Sequence, residues 1–426
     1  MDLLLKNCNI INYNGQSNGH IVINKGLIED ILQNNDNIDN IYANKIIDCS
    51  NYIVMPALID MHVHFRDPGF EYKEDIISGS YAAVAGGYTT CLCMGNTNPS
   101  ADNTTTIRYM IDKAEKLGLI DLLPYGCVTV NRAGEHIVEM GDMLDAGAVA
   151  FSDDGSPIMN SEVMRRALEY ASTFNTFIAT HSEDAYLSAN GQINEGVIST
   201  ITGLKGIPVA AEESIIARDV LLADLARAHV HVCHVSSHNA IELIKWAKSK
   251  NINVTAEVTP HHLLLSEDSL LTYDSNFKVN PPLRTQKDIK ALFEAIKDGT
   301  VDVISTDHAP HNIDEKHIEF ENAAFGMIGL QSTIPVLLQF AEEGKIDLND
   351  IAKLTSYNPA KILNLQKGKI EKNYRADLVI IDKEMTYIYD EKIIKSKNYN
   401  TPLFGKTLKG IPVYTIKDGK IVYPFK

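Results

Sequence analysis

No run of about 18 apolar residues occurs anywhere in the sequence, so no transmembrane helix is expected. The opening stretch MDLLLKNCNI has no basic n-region and does not read as a secretion signal. Cysteines are few and scattered: Cys8, Cys49, Cys91, Cys93, Cys127 and Cys233 lack the spacing of a disulfide framework. A reducing, cytoplasmic setting is the simplest inference. Cys91 and Cys93 form a CxC, but within YTTCLCM they read as buried strand residues. Positive charge is also short, with 39 Lys and Arg against 55 Asp and Glu and a formal net charge of −16. That balance argues against nucleic acid and anionic membranes as partners. An anionic substrate would need a local cation. Two further absences matter below: no Gly-rich phosphate loop opens a helix after the first strand, and no lysine lies between Lys116 and Lys205.

What is present has two rhythms. The 426 residues exceed the usual single-core size. Residues 1–54 and 371–426 read as short strands cut by Gly-containing turns. Neither end has enough strands for a core of its own, so both are expected to fold together into a small β-sandwich. Between them, residues 55–370 alternate apolar strand-like runs with helical patterns, giving eight strand–helix units from ALIDMHVHF to VDVISTDHAP and the helix over 330–343. Among these are helices over 104–117, 135–145, 162–172, 238–249 and 287–297, and one after Val209. Near-continuous apolar strands covered on both faces predict an α/β fold, a (β/α)8 TIM-like barrel. The Asn/Asp-rich stretch QNNDNIDN at 33–40 reads as a surface loop.

A barrel carries its site at the C-terminal ends of its strands. Those ends hold His62 and His64 on strand one, Asn96 after strand two, Asp153 and Asp154 after strand four, His181 on strand five and His234 on strand six. Asp307, His308 and His311 follow strand eight. His62 and His64 share one strand face by the two-residue period, and Arg66 joins them if the strand continues. Four histidines and two aspartates converging on one rim repel or demand solvation unless something positive sits among them. Imidazole and carboxylate ligands suit Zn²⁺. The set exceeds what one catalytic zinc uses, and a pair about 3.5–4 Å apart would employ all of it, in the service of hydrolysis. His136, His229 and His231 read as surface or packing residues. Alternation lets only one of Asp153 and Asp154 face inward, without saying which.

Together, DMHVHFRDPG and STDHAPHNIDEK resemble the paired signatures of the dihydroorotases, within the amidohydrolase superfamily. MGNTNP, FSDDG, ATHSE, CHVSS, KVNPPLR and FGMIGLQ extend the likeness over most of the chain. The resemblance implies two Zn²⁺ per subunit, one held by His62 and His64 and the other by His181 and His234, with Asp154 favoured as the bridge. It implies that Asp307 lies against the first metal as general base and then acid. Arg66 and Asn96, beside His64, would hold a substrate carboxylate, Asn280 and His311 would complete the pocket, and Phe325 and Gly326 would lend contacts from a loop. The implied reaction interconverts N-carbamoyl-L-aspartate and (S)-dihydroorotate in pyrimidine synthesis. A homodimer and association with aspartate carbamoyltransferase are further family expectations.

Two rival readings compete. Hydantoinases, allantoinases and one branch of dihydroorotases bridge their metals with a carboxylated lysine on strand four, and the lysine-free window 117–204 does not offer one there, which leaves the aspartate-bridged branch as the better match. A non-catalytic scaffold relative would be expected to lose ligands, and all six candidates stand here.

Overall fold

The computed structural model describes residues 1–38 and 40–425, so that only Asp39 of the Asn/Asp-rich loop lies outside the described residues. Eight parallel strands follow one another in chain order around a single sheet. They are β1 (Leu58–Val63), β2 (Tyr88–Cys93), β3 (Asp121–Gly126), β4 (Ala150–Phe151), β5 (Phe177–Thr180), β6 (His229–Val232), β7 (Val254–Val258) and β8 (Val303–Ile304). Past β8 the chain returns to β1: Val63 bridges His308, and the His64 amide donates to the His308 carbonyl at 2.9 Å. The sheet is a nearly closed barrel.

Strands β1 and β2 are buried along their whole length, as strands lined on one face and covered by helices on the other must be. Met61, Leu92, Tyr125, Ala150, Phe177 and Val303 fill the inside. A larger apolar layer joins the strands to the outer helices. Those helices start and stop where local chemistry dictates. In Thr104–Leu117 the Asn103 side chain accepts from the Thr106 amide at 3.0 Å, and Gly118 ends the helix at φ 70°. The helix expected over 135–145 is shorter, Met140–Asp145. Ahead of it, Thr129 and Ile137 pair across a turn containing Gly134 at φ 72°, which takes those residues out of helical geometry. The helix expected over 330–343 begins at Thr333, after a turn from Gly329 to Ser332.

The two chain ends meet in a second, mostly antiparallel sheet of eight strands. Leu378–Ile388 from the C-terminal part pairs with Ile53–Pro56 from the N-terminal part. Leu3, Leu5, Ile21, Val54, Leu378 and Ile416 form its own apolar cluster. All six cysteines are free and buried. Among the described residues no helix is long and apolar enough to cross a membrane.

Candidate active site

The expected residues do gather at the C-terminal rim of the barrel. His62 Nε2 lies 3.4 Å from Asp307 Oδ1 and 3.6 Å from Asp154 Oδ1. His64 Nε2 lies 3.0 Å from Asp307 Oδ1 and 3.5 Å from Asp154 Oδ2. His181 Nδ1 and His234 Nε2 stand 3.5 and 3.6 Å from Asp154 Oδ1, the oxygen that His62 also faces, and 2.9 Å from each other. Asp154 thus has histidines on both of its oxygens. Asp153 turns the other way: its carboxylate accepts from the Val128 and Thr129 amides and the Thr129 hydroxyl.

The far nitrogens of these rings decide which nitrogen faces inward. His62 Nδ1–H donates to Glu257 Oε1 at 2.7 Å, and His64 Nδ1–H to Asn96 Oδ1 at 3.0 Å. His181 Nε2–H donates to Glu183 Oε2 at 3.0 Å, where Asn280 Nδ2 donates as well. His62 and His64 thereby turn Nε2, and His181 turns Nδ1, toward the centre, while the outer Nδ1 of His234 is buried without a partner. His62 Nε2 and Asp154 Oδ1 are buried without a hydrogen-bond partner. Spacings of 3.4–3.6 Å are too long for hydrogen bonds. They resemble the edge, about 3.3 Å, of a tetrahedron with zinc–nitrogen bond lengths. Converging ring nitrogens and carboxylates fit a cation, and the groups His62–His64–Asp307 and His62–Asp154–His234 are each compact enough to hold one.

The surrounding carboxylates draw a proton onto two of these rings, the charge a metal ion would replace. Burial disfavours a charged His62, yet Asp307, Glu257 and Asp154 outweigh it and hold the ring well above its ordinary value. Burial likewise opposes protonation of His181, but Asp154 and Glu183 raise it to about 10. Asp154 is held well below the carboxylate range, its burial overcome by the surrounding histidines. The centre favours positive charge.

Beside this cluster lies a cationic pocket. Strand β1 ends at Val63, and Arg66 reaches inward from a turn at φ 60° rather than by strand alternation. Its Nη2 is 3.4 Å from His311 Nε2, and it lies within the fields of Asp307 and Asp154. Lys73 Nζ stands 3.5 Å from His311 Nδ1 and 2.7 Å from Glu315. Burial first, then Arg66 and Lys73, push His311 down to about 4, so it is neutral at pH 7. Gly326 sits against His311 at φ 126°, where a Cβ would come within 2.7 Å of the Ala309 side chain. Phe325 is half-buried beside it. His234 and Asp307 also have left-handed backbones, at φ 33° and 47°, conformations that concentrate at functional sites.

Several residues escaped the sequence reading. Glu257, Glu183 and Lys73 stand at no spacing that marks them as site residues. His231, read as packing, is fully buried with Nε2 3.2 Å from Glu257 Oε2, so it helps orient the carboxylate that orients His62. Arg132 Nη1 donates to the Asp154 carbonyl at 2.8 Å. The one available signal was Glu257 itself, a carboxylate inside the apolar run VTAEV. His136 is exposed, as expected.

A family model described as the amidohydrolase family matches residues 53–422, and the chain belongs to that family. Curated relatives at 43–48% identity over most of the chain are named dihydroorotases. The dihydroorotase of Syntrophotalea carbinolica is 48% identical over 400 residues, covering 93% of this chain and 94% of that protein. That of Thermoanaerobacter sp. is 43% identical over 425 residues, covering 99% and 97%. Among solved structures, the L-hydantoinase (dihydropyrimidinase) of Arthrobacter aurescens matches with a TM-score of 0.89 at 25% identity, over 99% of this chain and 95% of that one.

Proposed function

We propose that the chain is a dihydroorotase, a cyclic amide hydrolase interconverting (S)-dihydroorotate and N-carbamoyl-L-aspartate in pyrimidine synthesis. The observation that carries this reading is an aspartate, Asp154, flanked on both oxygens by histidines and set beside a half-buried guanidinium, Arg66. We infer two Zn²⁺ per subunit, one on His62, His64 and Asp307, the other on His181 and His234, with Asp154 between them. The outer-nitrogen bonds of His62, His64 and His181, which turn the other nitrogen of each ring toward Asp154 and Asp307, support that assignment. Such ions polarise a carbonyl oxygen and lower the pKa of water to about 7.

The protein's own groups do the rest. Asp307, held low against burial by His62 and His64, is ionised at neutral pH. It accepts the proton of the attacking water and passes it to the ring nitrogen that leaves. Arg66 pairs with the substrate carboxylate through its planar fork. Asn96 spends Oδ1 on His64, which leaves Nδ2 for the same carboxylate. Asn280 spends Nδ2 on Glu183, which leaves Oδ1 for a ring N–H. His311, Phe325 and Gly326 wall the pocket. The homodimer, association with aspartate carbamoyltransferase and a cytoplasmic setting stay within the reading on the family likeness and the free cysteines.

The test is turnover of dihydroorotate with bound metal quantified in the same preparation. Ring opening creates a carboxylate of pKa near ~4, so hydrolysis releases a proton at neutral pH. Ring closure should gain about tenfold in equilibrium constant per unit fall in pH between about pH 8 and 6. A flat ratio there, or turnover of hydantoins alone, would reject the assignment.

A further inference from the structure

Two lysines from the signature motifs have no part in the chemistry above: Lys278 of KVNPPLR and Lys316 of DHAPHNIDEK. They are 1% and 2% exposed, and among the described residues neither forms an ion pair. Backbone carbonyls receive their charges. Lys316 Nζ donates to Ala324 O at 2.8 Å and Gly326 O at 3.0 Å, with Lys278 O at 3.5 Å. Lys278 Nζ donates to Phe320 O at 2.7 Å and Glu321 O at 3.1 Å, and it lies 4.5 Å from the Phe325 ring centroid. All but one of these carbonyls belong to 320–326, a stretch without helix or strand.

Burying an ammonium without a carboxylate is costly. Burial accordingly pushes Lys316 down to about 7 and Lys278 to about 8. An apolar side chain would pack the same space without that cost, but it would take the lysine donor from Ala324 O or from Phe320 O and Glu321 O. The far end of the stretch connects directly to the pocket. The Gly326 amide donates to Lys278 O at 2.9 Å. Asn400 Nδ2 donates to Gly326 O at 3.1 Å, while Asn400 Oδ1 accepts from the His311 amide at 3.1 Å.

We propose that Lys278 and Lys316 are positioning residues that clasp 320–326 by its carbonyls and set Phe325 and Gly326 against the substrate pocket before substrate arrives. The clasp removes an ordering cost from binding, so its loss acts on KM rather than on the chemical step. The identity of the substrate used below rests on the dihydroorotase reading; the clasp does not.

Lys316→Met keeps the stem and removes the donor. It should raise KM for dihydroorotate about tenfold with kcat within about threefold. Bound metal should stay unchanged, and amides of 320–326 should lose hydrogen-exchange protection. Lys278→Met should act in the same direction, and Lys316→Arg should restore part of the KM. Folded methionine variants with wild-type KM and wild-type exchange would overturn the proposal. So would a fall in kcat accompanied by metal loss, because the lysines would then act on the metal side. If neither variant folds, exchange in the unaltered protein decides. Slow exchange across 320–326 as a whole, beyond the Gly326 amide that the Lys278 main chain already holds, supports the clasp, and exchange of the rest at a free-loop rate rejects it. Wild-type protein inactive on dihydroorotate would defeat the functional reading and leave the exchange measurement to judge the clasp.

Discussion

On the histidine–carboxylate side of the site, three of the four imidazoles have the outer nitrogen tied to an acceptor: Glu257, Asn96 and Glu183. On the anion side, Arg66 comes from a left-handed turn, its Nε is buried without a partner, and its neighbours are a neutral His311 and a Lys73 already paired with Glu315. The first side is built for fixed directions and the second for charge. A cation shared among several ligands needs each lone pair aimed within narrow limits. A carboxylate needs a fork of donors and a positive field in a protein whose net charge is −16.

Substitutions can separate the two sides. The largest effect is expected at Asp307, where both sides meet the reacting bond. Asp307→Asn should cost roughly 10²–10⁴-fold in kcat with circular dichroism unchanged, and a variant within a few-fold of wild type would remove Asp307 as the proton carrier. Next comes the anion side alone. Arg66→Ala should raise KM for dihydroorotate by roughly 10²-fold, the scale of a lost charged hydrogen-bond pair, with metal content intact. Arg66→Lys should recover only part, because a point charge does not reproduce the fork. Loss of metal from Arg66→Ala would break the division drawn here.

The metal side is probed through Glu257, which touches no substrate. Glu257→Gln keeps the shape, weakens the acceptor for His62 Nδ1–H, and should lower metal affinity on the order of tenfold. KM measured at saturating metal should not change. The smallest expected effect is none at all. Aspartate is a permanent ligand, so protein stripped of metal should regain full activity with zinc in bicarbonate-free buffer. A requirement for bicarbonate would mean that a lysine from outside 117–204 reaches the centre and that Asp154 is not the bridge.

Much of the metal side could be read before any fold was known. HVH places two rings on one face because strands repeat every two residues. The strand–helix rhythm then brings distant strand ends to one rim. His181, His234 and Asp307 follow from that rule, and the helix over 104–117 from its cap and its glycine. The anion side was less legible. Arg66 was expected to follow strand alternation, but β1 stops at Val63 and a turn sets its direction. Lys73 had no local pattern to mark it.

The sequence by itself determined the barrel, the rim that carries the histidines and aspartates, and the absence of lysine from 117–204, because periodicity and composition are carried within each segment. Only the tertiary structure decided between Asp153 and Asp154. Alternation allows one inward carboxylate, and it is the Val128 and Thr129 amides of the neighbouring strand's end that claim Asp153. It also decided that Glu257, 195 residues from His62, aims that ring, and that Lys278 and Lys316 meet beneath one loop. Those pairings depend on how the barrel closes, and no segment carries that information alone.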